Sequence, residues 1–308
     1  MARSPNSNDS TVDLSRQGFS EATRRWLASG DHHDIDGHLV FAHDSGNGPA
    51  IVFIHGFPTS AFDWREVINE LDGAHRCVAI DLRGFGLSDK PKAWSYSLFQ
   101  QADLVESILE RLGIAVAHVV SHDMGTSVHT ELLAREIEGR LSFEPTHSTF
   151  LNGSMIKTLA KLTTFQQVLE PPSRVPEAME MVAAMMPAYV DSLKRLMGRP
   201  ETVTDEITTV MHEVMAYQDG NLRIPAVYCY VRERYLHMDR WLSALADTKI
   251  PLQLVWGTDD PVAVIEMGRE LHRRLPHADY RELDGVGHFV PTEAPLEVAE
   301  AIQALRST

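Results

Sequence analysis

Cysteine is almost missing. The 308 residues carry two, Cys77 and Cys229, both inside apolar runs, and no C-x-x-C pair has the spacing of a zinc site. A disulfide framework is excluded, and a reducing, cytoplasmic compartment is expected. Positive charge is scarce as well: 28 Lys+Arg stand against 43 Asp+Glu, a formal charge of -15. The summed field repels phosphate backbones and anionic lipid surfaces, which argues against a nucleic-acid partner. Long apolar runs are also lacking. The Ser/Asn/Asp-rich start, Met1 to Arg16, has no apolar core of about 7–15 residues as a secretory signal needs, and no run nears the roughly 20 residues of a membrane span. A flexible tail over residues 1–20 is expected, followed by a chain whose 44% hydrophobic content suffices for a full core in one or two domains.

From about residue 31 to 123, short β-branched runs alternate with amphipathic stretches, and Gly, Pro or Asp marks each junction. Residues 40–43, 50–55, 76–81 and 117–122 read as strands, and 61–71, 98–112 and 126–138 as helices. The nearly continuous apolar run Ile51-Val52-Phe53-Ile54 suits a parallel sheet buried on both faces. Between about residues 153 and 245 the strand signals fade, and helix-compatible segments broken by Pro171-Pro172, Pro176, Pro187 and Pro200 take over. Nine of the twelve methionines lie there, suited to helix packing or to a pliable apolar cavity. The first rhythm returns with a strand at 251–256, a helix at 264–275, a strand at 279–283 and a helix at 295–305. One α/β sheet interrupted by a helical lid accounts for this order.

The chemistry-bearing residues follow the same rhythm. Residues 117–125, Ala-His-Val-Val-Ser-His-Asp-Met-Gly, run from a strand through a tight turn into a helix, with the small Ser121 and Gly125 two positions either side of Asp123. That is the spacing of a nucleophile elbow, in which small neighbours let the backbone turn sharply and lift one side chain above the sheet. Here the lifted side chain is a carboxylate. Trp256-Gly-Thr-Asp-Asp-Pro261 then sets two acids after a strand, and Asp284-Gly-Val-Gly-His288 sets a histidine after the last one. A carboxylate attacking an ester carbonyl would give a mixed anhydride. One attacking a strained or halogenated saturated carbon gives an ordinary ester that water can cleave.

With His55-Gly56-Phe57-Pro58 and the run from Asp81 to Asp89, these residues resemble the α/β-hydrolase superfamily over about residues 35–305. The H-D-x-G elbow is similar to its aspartate-nucleophile branch, which holds epoxide hydrolases, haloalkane dehalogenases and fluoroacetate dehalogenases. Asn152-Gly153, Asp219-Gly-Asn-Leu222, Tyr230 and Arg240-Trp241 add a likeness to the mesoderm-specific transcript-like proteins of that branch. The resemblance implies the α/β-hydrolase fold: a mostly parallel central sheet flanked by helices, built from residues 21–152 and 246–308, with a helical cap over 153–245. It implies Asp123 as nucleophile and His288 as the base for water. The G-x-x-D pattern from Gly257 points to Asp260 as the acid that orients His288, with Asp259 as the alternative. The N–H groups of Phe57 and Met124 form the implied oxyanion hole.

Within the branch, dehalogenases place a tryptophan or an arginine directly after the nucleophile. Met124 stands there, and neither it nor Phe57 offers a side-chain donor to a halide. Epoxide opening needs a proton donor for the emerging alkoxide, and Tyr230 matches the family's lid tyrosine, with Tyr235, Tyr228, Tyr217 and Tyr189 as further candidates. Phe165 stands where a second tyrosine is usual; it and Trp241 are expected to line the substrate site. His147 is weighed as a further donor and set aside as structural. The expected activity is an epoxide hydrolase acting on a small apolar epoxide and water; a dehalogenase and a non-catalytic ligand-binding homologue are the alternatives. No cofactor and no metal are expected: His212-Glu213 lacks the second zincin histidine, since position 216 is Ala216, and Asp31-His32-His33-Asp34 reads as solvated surface. Self-association stays open.

Overall fold

A computed structural model describes residues 18–71, 73–162, 164–169 and 172–305, without the side chains of 164, 165, 172, 175, 179 and 182–187. Most of the expected tail, residues 1–17, lies outside the described residues. Its last part is held in place: Phe19 is buried, and the Ser20 N–H and hydroxyl both donate to Glu213.

The strands are β1 (Gly30–Ile35), β2 (His38–Ser45), β3 (Ala50–Ile54), β4 (Arg76–Ile80), β5 (Val116–His122), β6 (Glu144–Leu151), β7 (Leu252–Gly257) and β8 (Asp279–Leu283). They form one sheet in the order β1-β2-β4-β3-β5-β6-β7-β8. β1 and β2 pair antiparallel, as do β2 and β4, and every other pair is parallel. Ile51 to Ile54 of the central β3 are fully buried, as a sheet covered on both faces requires. The helices are α1 (Glu21–Leu27), α2 (Arg65–Leu71), α3 (Leu98–Arg111), α4 (Gly125–Ile137), α5 (Thr164–Leu169), α6 (Val175–Leu193), α7 (Asp205–Ala216), α8 (Ile224–Val227), α9 (Tyr230–Leu236), α10 (Met238–Asp247), α11 (Ile265–Arg274), α12 (Val290–Glu293) and α13 (Pro295–Leu305). Helices α5 to α10 fall between β6 and β7, which are neighbours in the sheet. The fold is that of an α/β-hydrolase.

Two strands depart from expectation: β6 was given no bounds from the sequence, and β1 was read as surface. Asp31-His32-His33-Asp34, read as solvated surface, is part of the edge strand β1, where His32 bonds the carbonyl of Leu87 at 3.0 Å and packs against Phe41. Its polar side chains hid a strand whose ladder bonds come from the backbone.

Beneath the elbow, His129 is fully buried between Ser121 (2.8 Å) and Ser148 (3.0 Å) and stacked on Phe150 with centroids 4.1 Å apart. Burial pushes its imidazole down to about 3. Because the folded value lies below the unfolded one, the unfolded chain binds the proton first as pH falls below 6.5, and stability is lost from there toward pH 3. Denaturant melts should therefore show about 2 kcal/mol less stability loss between pH 7.5 and pH 5 in His129→Gln than in the parent. Equal losses would contradict this reading.

Candidate active site

At the end of β5 the backbone must reverse into α4 over one residue. Asp123 takes that position at φ 44°, a left-handed conformation that is uncommon outside glycine, though Asp and Asn adopt it more readily than other residues, and that is held where its surroundings favour it. They do so here. The Asp123 N–H donates to Leu151 O at 3.2 Å, and its carbonyl accepts from the Thr126 N–H (3.1 Å) and hydroxyl (2.6 Å). Two glycines make room: a Cβ on Gly125 would lie 2.5 Å from Ile54 O, and one on Gly56 would lie 2.7 Å from the Cβ of Asp123. The carboxylate stands at the N-terminus of α4, where the helix dipole favours negative charge. Its Oδ2 accepts the Phe57 N–H at 2.9 Å. Met124, whose N–H was expected as the second oxyanion donor, is the N-cap residue of that helix and is buried.

His288 faces Asp123 with Nε2 3.9 Å from Oδ1, and its Nδ1–H donates to Asp260 Oδ2 at 2.8 Å. The adjacent Asp259 is exposed and bonds Thr258, so the alternative between the two acids resolves in favour of Asp260. Asp260 is fixed from three further sides, by the N–H groups of Val262 (2.7 Å) and Ala263 (3.0 Å) and by the Asn152 amide (2.6 Å). Burial alone would raise the Asp260 carboxyl, but His288 and these donors hold it below the usual range. Burial alone would likewise lower His288; Asp260, and then the charge of Asp123, lift it to about 9. His288 therefore sits between two acidic side chains that favour its charged form.

Some residues in this machinery escaped the sequence reading. Asn152, left without a role there, bridges Asp260, Gly287 O and the Gly257 N–H. Glu293, buried at the end of α12, accepts the N–H groups of Gly287 and Phe289, both at 2.9 Å, and so clamps the backbone on either side of His288. Arg234 bonds the backbone carbonyl of Asp123. Only Arg234 left a usable signal: it follows Tyr230 by four residues on one helix, which puts the two on one face.

Tyr230 is buried against Phe57, with centroids 5.6 Å apart, and Tyr228 packs on both. Burial, then the Asp123 charge, pushes the Tyr230 phenol well above its ordinary range, with Arg234 opposing. A narrow cavity beside Phe57 is walled by Pro58, Phe85, Met211, Met215 and Val227, with Lys90 as its cationic member. The Lys90 ammonium is occupied by the carbonyls of Gly86 (2.6 Å) and Ser88 (3.0 Å), and burial pushes it down to about 7.

Two expected lining residues fare differently. The Phe165 side chain lies outside the described residues. Trp241 does not line the cavity beside Phe57: its indole N–H donates to Glu131 at 3.0 Å, and its ring packs on Phe99 and His237. Arg240 binds the same Glu131 at 2.9 Å, so the Arg-Trp pair closes the seam between α10 and α4, and Trp241 lines a small pocket with Ser127, Met155 and Arg234. Of the other tyrosines considered as donors, Tyr217 accepts a bond from Gln218, and the cation of Lys157 lies over the ring of Tyr235. His147 lies within β6, paired in register with His118.

Known proteins resemble this chain to different degrees. A family model described as the alpha/beta hydrolase fold matches residues 49–295. The chain is 38% identical over 288 residues to the putative hydrolase LipZ of Mycobacterium tuberculosis, covering 93% of this chain and 98% of that protein. It is 32% identical to the mesoderm-specific transcript protein of Mus musculus (90% and 86% covered) and 25% identical to epoxide hydrolase 1 of Caenorhabditis elegans (84% and 65%). Among solved structures, the haloalkane dehalogenase DbeA of Bradyrhizobium elkani superposes with a TM-score of 0.74 at 22% identity, covering 91% of this chain and 99% of that one. Among the described residues, no helix is long and apolar enough to cross a membrane. From the elbow through the acid to the histidine, and across most of its length, this chain belongs to the α/β-hydrolase fold family.

Proposed function

We propose that the protein is an epoxide hydrolase that opens a small apolar epoxide to a vicinal diol through a covalent ester on Asp123. The observation that carries this reading is a carboxylate at the elbow tip, with His288 on one side and the buried Tyr230 close by.

The two carboxylate oxygens have different surroundings. Oδ2 is held by the Phe57 N–H, and Oδ1 lies toward His288. Oδ1 attacks the epoxide carbon, the C–O bond breaks, and the alkoxide takes the Tyr230 proton. Ester formation removes the charge of Asp123, one of the contributions that lift His288, so the imidazolium gives up its proton, which restores the Tyr230 phenol, and becomes a base. His288 then takes a proton from water as the water attacks Cγ. The negative charge gathers on Oδ2, stabilised by the Phe57 N–H and, in this reading, by that of Met124. Collapse expels the diol oxygen from Cγ as an alkoxide that takes the proton of the new carboxyl, which restores the Asp123 carboxylate and the His288 imidazolium, and Asp260 holds the imidazole in the required tautomer.

Carbon–halogen cleavage has less support. The indoles of Trp241 and Trp256 spend their N–H groups on Glu131 and Ala263 O, away from any halide at Asp123. A survey of terminal epoxides and haloalkanes tests the choice: diol should form from the epoxides with no halide release, and the reverse would overturn it. Tyr230→Phe should slow diol formation by about 10²-fold or more, as expected for a lost general acid; an unchanged rate would remove Tyr230 from the mechanism.

A further inference from the structure

We propose that Arg234 is a positioning residue that ties helix α9 to the backbone of the nucleophile and holds Asp123 in its attacking orientation. The inference rests on the reading of Asp123 as nucleophile and adds a part to it.

Arg234 is 2% exposed. Among the described residues no carboxylate lies within ion-pairing distance of it, although taking an unpaired cation out of water costs several kcal/mol. Its bonds go elsewhere: Nη2 to Asp123 O at 3.0 Å, Nε to Ser127 Oγ at 2.6 Å and Nη1 to Ser154 O at 3.4 Å. The Asp123 carbonyl thus receives donors from both α4 and α9, at a residue whose φ of 44° must be enforced from outside. The same guanidinium stands 5.0 Å from the Tyr230 ring centre, so one side chain touches the elbow and the proposed proton donor together.

The preceding residue supplies a control. Glu233 accepts the Ser97 hydroxyl at 2.6 Å and the Leu98 N–H at 2.5 Å, docking α9 on the N-terminus of α3. Helix α9 is therefore anchored twice, and only the Arg234 anchor reaches the nucleophile.

The test uses the full chain carrying His288→Gln, with 1,2-epoxyhexane as probe and the rate of mass gain on Asp123 as readout. Arg234→Gln should slow ester formation by about 10²-fold, the cost of a misaligned reacting group, whereas Glu233→Gln should stay within about twofold. Arg234→Lys keeps the charge but loses the fork, and should fall between, at about tenfold. Amide exchange at residues 123–126 should quicken at least about tenfold in Arg234→Gln and stay unchanged in Glu233→Gln. Equal slowing in the Arg234→Gln and Glu233→Gln variants would overturn the proposal, reducing Arg234 to a second docking bond; so would an unslowed Arg234→Gln. If Arg234→Gln fails to fold, Arg234→Lys against Glu233→Gln decides by the same criterion. If the Arg234-containing parent gains no mass, the nucleophile reading fails, and exchange at 123–126 alone decides the role of Arg234.

Discussion

Replacing His288 with Gln is expected to stop turnover after the first chemical step and leave the substrate as an ester on Asp123. Ester formation uses Oδ1 of Asp123 and the Tyr230 proton, and neither depends on an imidazole base. Ester cleavage does depend on one, because the water must lose a proton as it attacks Cγ. The geometry offers one base for that step: His288 Nε2, 3.9 Å from Oδ1, oriented through Nδ1 by Asp260. Loss of such a base costs about 10⁴-fold, so the ester should outlast mass-spectrometric analysis. The variant should gain the whole mass of an epoxide. A gain of an alkyl group without its halogen would assign dehalogenation instead, and a folded variant that gains nothing from either class would contradict the ester mechanism.

Asp123→Asn should have the larger effect on overall activity, a loss on the order of 10⁶-fold, as when a covalent nucleophile is removed. Asparagine tolerates the left-handed backbone that Asp123 adopts. Its amide oxygen can still accept the Phe57 N–H, so the loss reports on chemistry more than on folding. The same variant carries a second readout. His288 stands at about 9 because Asp260, and after it Asp123, hold the proton on it against burial. With Asp123 uncharged, the imidazole midpoint must fall below that value, and ring-proton NMR across the pH range would follow it. An unmoved midpoint would mean that Asp123 and His288 do not sense each other, and the step in which His288 becomes a base would fail.

Sequence periodicity located most of the sheet within a residue or two, because the buried strands are apolar on both faces and turn residues bound them. β1 escaped since its Asp and His side chains are those of a strand at the sheet edge, where the pairing is done by backbone groups. The helix expected over 61–71 begins as a 3₁₀ turn, Ala61–Trp64, with Asp63 buried in it. At the site, the residues that meet each other through side chains were legible: Asp123 from the small neighbours that an elbow needs, and Asp260 and His288 from their places after successive strands. Asn152 and Glu293 act largely through backbone carbonyls and N–H groups, and such partners leave no spacing to read; Arg234 also binds a backbone carbonyl, and only its place four residues after Tyr230 hinted at it. The partner of Trp241 was illegible for a related reason. Its indole N–H and the Arg240 guanidinium share Glu131, an acceptor far away in sequence.

Asp123 as a covalent nucleophile is the claim on which the remainder depends, and a single turnover in ¹⁸O-water tests it most directly. With enzyme in excess over epoxide, water attacks Cγ of the ester, so the heavy oxygen should appear in the peptide bearing Asp123 and the diol should carry none. Label in the diol and an unlabelled Asp123 would mean that water opens the epoxide directly, and the ester mechanism would be wrong.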